Sequence, residues 1–143
     1  DCDGCLTDGG MYYSEKGDEL KKFNTRDGMG FKRLREKGII TGIVTSENVE
    51  LNRRRAEKMK IDILELGCKD KASTIKNICK DRNIDLREVC YIGDDINDLE
   101  AIKIVGFGCC PADAVPEIKE VADYVAVSKG GMGVIREIAD KII

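Results

Sequence analysis

The sequence predicts an α/β fold: a doubly wound parallel sheet sandwiched by helices, with a β-hairpin near its start. Three observations predict it. From Ile39 onward, short apolar runs alternate with stretches of helical period. The runs are continuously apolar, as expected of strands covered on both faces, where one-sided strands would alternate with polar residues. Several of them end in polar clusters, the place where open parallel sheets put their ligand sites.

Met11-Tyr12-Tyr13 and Leu20-Lys21-Lys22-Phe23 are β-prone runs around the turn-rich Ser14-Glu15-Lys16-Gly17-Asp18, which reads as a hairpin. From Thr25, Asp27 in a first turn and Met29, Phe31 and Leu34 at helical spacing predict a helix that Gly38 ends. A buried strand over Ile39–Val44 stops at Thr45-Ser46-Glu47-Asn48, and a helix follows to about Met59. Ile61–Leu66 reads as a strand, Lys71 as the start of a third helix, and Val89–Ile92 as a strand ending in Gly93-Asp94-Asp95-Ile96-Asn97-Asp98. Helix Leu99–Ile104, strand Val105–Gly108, helix Val115–Val121, strand Tyr124–Val127 and helix Val134–Ile142 complete the pattern. Right-handed crossovers then give the doubly wound arrangement.

The 143 residues fit one domain with a sizeable core, and 42% apolar with 36% charged residues suits a soluble protein. A net charge of -3 offers no electrostatic case for nucleic acid or an anionic membrane. Histidine is absent, which excludes Ser-His-Asp and Cys-His catalysis and histidine bases. Seven cysteines with a single CxxC, Cys2-x-x-Cys5, read as reduced buried thiols of a cytoplasmic protein, with a redox CxxC as the alternative.

The chemistry concentrates at strand ends. Asp1 and Asp3, two apart, would project together from an extended segment. Thr45-Ser46, Lys71 and Gly93-Asp94-Asp95 lie at the ends of the predicted strands or the start of a helix between them. Aspartates are hard oxygen ligands suited to Mg²⁺, a lysine and a hydroxyl suit a phosphoryl group, and a carboxylate can take up phosphorus covalently. Singly, each has an ordinary reading: Lys71 as a solvated helix-start lysine, Thr45-Ser46 as a cap, Asp95 as a first-turn acid.

Together, Asp1-x-Asp3-Gly4, Thr45 after an apolar run, Lys71 and Gly93-Asp94-Asp95-x-x-Asp98 resemble the four motifs of the haloacid dehalogenase-like phosphatases, a Rossmann-like fold. The resemblance implies Asp1 as nucleophile, Asp3 as acid/base, and Thr45 and Lys71 as phosphate anchors, joined by Ser46 and Asn97. It implies Mg²⁺ on Asp1, the Asp3 backbone carbonyl and Asp94, with Asp95 and Asp98 as supports behind the ligands. Gly4-Cys5-Leu6-Thr7-Asp8-Gly9, Phe23-Asn24-Thr25-Arg26-Asp27-Gly28 and Gly130-Gly131-Met132-Gly133-Val134-Ile135-Arg136-Glu137 resemble the capless sugar-acid phosphatases. That group comprises nononate (N-acylneuraminate) 9-phosphate phosphatases, 3-deoxy-manno-octulosonate 8-phosphate phosphatases and the phosphatase-like domains of CMP-sialic acid synthetases. It implies a homotetramer built through the hairpin, so that neighbouring subunits close each site.

Octulosonate enzymes usually continue Thr-Gly-Arg where this chain has Thr45-Ser46-Glu47. Glu47 followed by Arg55 and Lys58 on one helix resembles the nononate enzymes, and Thr25, Arg26 and Asp27 are further substrate candidates. The expectation is therefore Mg²⁺-dependent removal of the terminal phosphate of a nine-carbon sugar acid, as in sialic acid biosynthesis. The alternatives are the octulosonate ester, or a non-catalytic assembly domain of a synthetase. A phospho-accepting receiver domain is disfavoured because acids, and not Thr45, would have to end the middle strand. The family's nucleophile follows a buried strand, so an apolar strand is expected upstream of Asp1.

Overall fold

Parallel pairing organises the molecule, a computed structural model that describes residues 1–17 and 19–143. β1 (Tyr12–Tyr13) and β2 (Glu19–Leu20) form the antiparallel hairpin, with Tyr12 opposite Leu20. Asp18, in the predicted turn, lies outside the described residues. An isolated Thr7–Phe23 bridge ties the hairpin's base to the first loop. α1 (Thr25–Glu36) starts at Asn24, whose side chain accepts from the Arg26 N–H.

β3 (Gly42–Val44) runs parallel to β4 (Ile63–Glu65), with α2 (Glu50–Met59) crossing between them. α3 (Lys71–Arg82) then leads to β5 (Cys90–Ile92), α4 (Leu99–Ile104) and β6 (Phe107–Cys110). α5 (Pro116–Val121), β7 (Tyr124–Val125) and α6 (Val134–Ile142) complete the order, with β5, β6 and β7 paired parallel in sequence. The predicted α/β class holds. The predicted strand over Val105–Gly108 moves to Phe107–Cys110 because Val105 closes α4 and the Gly106 N–H donates to Leu86 O at 2.8 Å. Gly106 must be glycine there: a Cβ would sit 1.9 Å from Arg87 O.

Two apolar clusters make this a double layer. Phe31 of α1, Ala56 and Met59 of α2, and Val134, Ile135 and Ile138 of α6 pack with Ile43 and Cys109. Ile75 and Cys79 of α3, Ala101 and Ile102 of α4 and Ile118 of α5 pack with Val44, Tyr91 and Cys110. The sheet itself is in two pieces, and an apolar cleft between β3 and β5 is lined by Leu6, Ile43, Val44, Tyr91 and Ile92, with Asp1 among its residues. The Asp1 amino group donates to Ile92 O at 2.7 Å, so the chain's first residue is held against β5. Among the described residues, no helix is long and apolar enough to cross a membrane.

Candidate active site

Residues 3–6 fold as a turn where an extended segment was expected. The N–H groups of Cys5, Leu6 and Thr7 all converge on Cys2 O, at 3.3, 2.8 and 3.1 Å. Gly4 carries a left-handed φ of 81°. A side chain there would also drive its Cβ to 2.0 Å from an Asp94 carboxylate oxygen. Asp1 and Asp3 consequently serve different partners, which corrects the picture of two carboxylates aimed together from a strand.

Asp1 faces Lys71. The Lys71 ammonium lies 2.9 Å from Asp1 and 2.7 Å from Asp98, on a side chain only 1% exposed. The solvated reading of Lys71 is thereby excluded: helix α3 begins at this residue, and its Asp70 cap turns the chain so that Lys71 points inward. Carboxylate oxygens of Asp1, Asp94 and Asp98 lie within 4.8 Å of one another, a grouping suited to a cation. Burial, reinforced by the neighbouring Asp98 charge, pushes the Asp94 carboxyl up to about 6. That is the electrostatic signature of acids crowded around a place for positive charge.

Asp98 carries more than expected. One of its oxygens accepts from Lys71 and from the Tyr91 hydroxyl at 2.6 Å; the other accepts from the Asp94 and Asp95 N–H groups at 3.0 and 3.3 Å. With both oxygens engaged, this buried carboxylate fixes Lys71 and the Asp94 loop. Asp95 is corrected: its side chain caps the short 3₁₀ turn by accepting from the Ile96 N–H at 2.7 Å and lies on the exposed rim. Thr45 is buried at the end of β3, and Ser46 beside it accepts from the Asn97 amide at 3.2 Å, so those two strand-end loops touch.

Asp3 faces Lys21, a residue sequence reasoning missed. The Lys21 ammonium binds both Asp3 oxygens, at 2.9 and 2.8 Å, and also Glu47. Although burial opposes its charge, bonds to Asp3 and Glu47 hold Lys21 above the ordinary lysine value. Thr7 adds a hydroxyl 3.3 Å from Asp3. No local pattern marks a lysine at the end of a polar hairpin; only the fold brings it here. Tyr91 was missed for the opposite reason, since in an apolar run it reads as core.

The expected substrate residues divide. Glu47 reaches this pocket, where it pairs with Lys21. Arg55 donates to Asn24 O at 2.9 Å and lies over the Phe23 ring at 5.4 Å. Thr25, Arg26 and Lys58 are exposed. Asp27 is fully buried and accepts from the Arg136 N–H at 3.1 Å, so it joins α1 to α6 and does not face a substrate. Arg136 itself pairs with Asp140 at 2.7 Å, while Glu137 accepts from Tyr124, Val127 and Ser128. Cys2 and Cys5 are buried free thiols, and burial pushes the Cys2 thiol up to about 12, which removes the redox CxxC reading.

The comparisons with known proteins agree with this geometry. A family model described as haloacid dehalogenase-like hydrolase matches residues 46–138. The 3-deoxy-D-manno-octulosonate 8-phosphate phosphatase of Haemophilus influenzae is 34% identical over 143 residues, all of this chain and 79% of the relative. The chain belongs to the haloacid dehalogenase-like hydrolases, in the family of these octulosonate phosphatases. Among solved members, the Moraxella catarrhalis phosphatase in complex with magnesium, phosphate and a KDO molecule superposes with a TM-score of 0.95 at 35% identity, covering 98% of this chain and 80% of that one. A cobalt-bound form of the Haemophilus influenzae enzyme gives 0.93 at 34% identity, covering 98% and 82%. The expectation of an enzyme that hydrolyses phosphomonoesters is thereby borne out. None of these relatives is a nononate phosphatase.

Proposed function

We propose that this phosphatase removes the terminal phosphate of an eight-carbon sugar acid, 3-deoxy-manno-octulosonate 8-phosphate, with Mg²⁺ as cofactor. The carrying observation is the buried Lys71 bridging Asp1 and Asp98 beside Asp94, in a chain whose relatives act on this ester. The Asp1 carboxylate attacks phosphorus and the phosphorus–oxygen bond to the sugar breaks, leaving an aspartyl phosphate. Asp3 gives its proton to the departing sugar oxygen. Water then attacks phosphorus, Asp3 takes a proton from it, and phosphate leaves with Asp1 restored. Lys71, Thr45, Ser46 and Asn97 hold the phosphoryl oxygens.

The donor set fits a hard divalent cation: carboxylate oxygens close together, with the Asp94 carboxyl pushed up by burial and by the neighbouring Asp98 charge. Asp1, Asp94 and the Asp3 carbonyl would hold Mg²⁺, which supplies charge neutralisation for the phosphoryl group.

A nine-carbon sugar acid is the second reading, favoured by Ser46-Glu47 where octulosonate enzymes usually carry Gly-Arg. Turnover of octulosonate 8-phosphate against nononate 9-phosphate decides between them: the octulosonate ester is expected to have the higher kcat/KM, and a reversed order overturns the assignment. We also propose assembly as a homotetramer through the hairpin, where Tyr13 is 68% and Leu20 62% exposed. Light scattering should give four chains, and a monomer would reject it.

A further inference from the structure

The hairpin contributes one buried charge to the site, and neither the phosphate anchors nor the cation ligands include it. The Lys21 side chain is 0% exposed, while its partners Asp3 and Glu47 are 27% and 39% exposed. The ammonium is thus buried while its two carboxylate partners keep part of their surface open. It grips both oxygens of Asp3, at 2.9 and 2.8 Å, which fixes the plane of that carboxylate. Glu47, from the loop after β3, grips the same ammonium from the other side. Three segments distant in sequence, the first loop, the hairpin's second arm and the β3–α2 loop, therefore meet at one nitrogen atom.

We propose that Lys21 is a positioning residue that acts through Asp3, with Glu47 as its counter-anchor. Two consequences follow from the charge arrangement. A carboxyl group held against the ammonium keeps one orientation toward the leaving group; in its acid form one oxygen stays on Lys21 and the other carries the proton, and proton transfer depends on such positioning. The ammonium also offsets one of two adjacent negative charges, which lowers the electrostatic cost of bringing an anionic phosphate toward Asp1. Without Lys21, Asp3 and Glu47 would face each other as unpaired acids. A purely structural role for Lys21 would instead serve only to fasten the hairpin.

This inference rests on the proposed acid/base role of Asp3, and leaving-group dependence separates the two. An alkyl phosphate needs its departing oxygen protonated, whereas p-nitrophenyl phosphate has a leaving group that departs without help. kcat/KM, which reports formation of the phosphoenzyme, is to be measured on octulosonate 8-phosphate and on p-nitrophenyl phosphate for Lys21→Met, Asp3→Asn and the double variant. Lys21→Met is expected to lose roughly 100-fold on the sugar ester, the lower end of the range for general acid–base catalysis, and under about 10-fold on the aryl ester. The double variant should be no worse than Asp3→Asn within about 3-fold, because the two act as a unit. Equal losses on both esters, or losses that multiply in the double variant, overturn the positioning role. If Asp3→Asn itself shows no leaving-group dependence, the acid/base reading of Asp3 is what fails. Lys21→Arg, which keeps the cation, provides the same readout should Lys21→Met not fold. It is expected to retain more activity on the sugar ester than Asp3→Asn does, and an equal loss would count against the proposal.

Discussion

Two lysines in this molecule each bridge two carboxylates, and they are built in different ways. Lys71 sits at the first turn of a twelve-residue helix, 1% exposed, between Asp1 and a fully buried Asp98 that Tyr91 and two backbone N–H groups also hold. Every member belongs to the doubly wound scaffold or to a loop locked against it. Lys21 is equally buried, but it comes from the arm that follows a two-stranded hairpin, and its partners are partly open to solvent. The first pair is the interior of the fold turned to chemical use. The second depends on a peripheral element staying docked. Buried charge is tolerated in both because each ammonium has two anionic partners and no carboxylate is left alone.

The largest effect expected from breaking the rigid cluster is that of Lys71→Met. It leaves Asp1 and Asp98 without their cation, and removing one partner of such a buried pair costs about 3–5 kcal/mol. Thermal or denaturant unfolding should show that loss, together with a fall in kcat of roughly 10³-fold if Lys71 is the phosphate anchor proposed. The corresponding change at Lys21 should cost less stability, because its partners can be solvated in place. If Lys21→Met destabilises as much as Lys71→Met, the contrast between scaffold and periphery is wrong.

Gly4→Ala sharpens the comparison without touching either lysine. Its Cβ would meet an Asp94 oxygen at 2.0 Å in a left-handed backbone position, so Asp94 must move. Roughly 10²-fold in kcat/KM is expected, the scale of a 1 Å misplacement at a reacting centre, with a matching rise in the Mg²⁺ concentration needed for half activity. Removing the cation with a chelator should abolish turnover, and Mg²⁺ should restore it.

The scaffold also has an acid limb of its own. Glu137 on α6 accepts from Tyr124, Val127 and Ser128, each at 2.8 Å. Partial burial pushes its carboxyl up, but those hydrogen bonds outweigh this and hold it at about 2. A folded value below the unfolded one stabilises the protein above the ordinary glutamate range, and that contribution is lost as pH falls toward 2. Glu137→Gln should therefore cost about 1 kcal/mol at neutral pH and flatten the decline in stability between about pH 4.5 and 2. An unchanged acid limb would show that these bonds do not survive in solution. Asp95→Ala should do least: it removes a cap on the rim, about 1 kcal/mol or less, with kcat/KM unaltered.

The same contrast explains what was legible in the sequence. Strand ends and helix starts are local features, so Thr45, Lys71 and Asp94 could be placed at one rim from alternating apolar runs, and Asp1 joined them only through the resemblance to the family's motifs. The Lys71–Asp98 ion pair follows from that placement, although the full engagement of Asp98 needed the Tyr91 hydroxyl, hidden in an apolar run. The Lys21–Asp3–Glu47 contact was illegible because it joins three segments whose approach depends on how the hairpin packs. Asp27 and Arg55 misled for a related reason. Both are charged residues on helices, Asp27 in the first turn of α1 and Arg55 midway along α2, where solvent or substrate is the ordinary partner, yet α6 and Phe23 cover them. In the case of β6 the apolar pattern was right and the register late, since Val105 and Gly106 serve the preceding turn.

Asp1 is proposed to take up phosphorus while Lys71 holds it in place. Rapid quenching during turnover of a phosphomonoester, followed by borohydride reduction of any acyl phosphate and peptide sequencing, tests it most directly. A covalent phosphoryl group mapped to Asp1 is the expected result, absent in Asp1→Asn. A quenched enzyme without covalent phosphate under conditions that trap acyl phosphates, or with the group on another residue, would contradict the account.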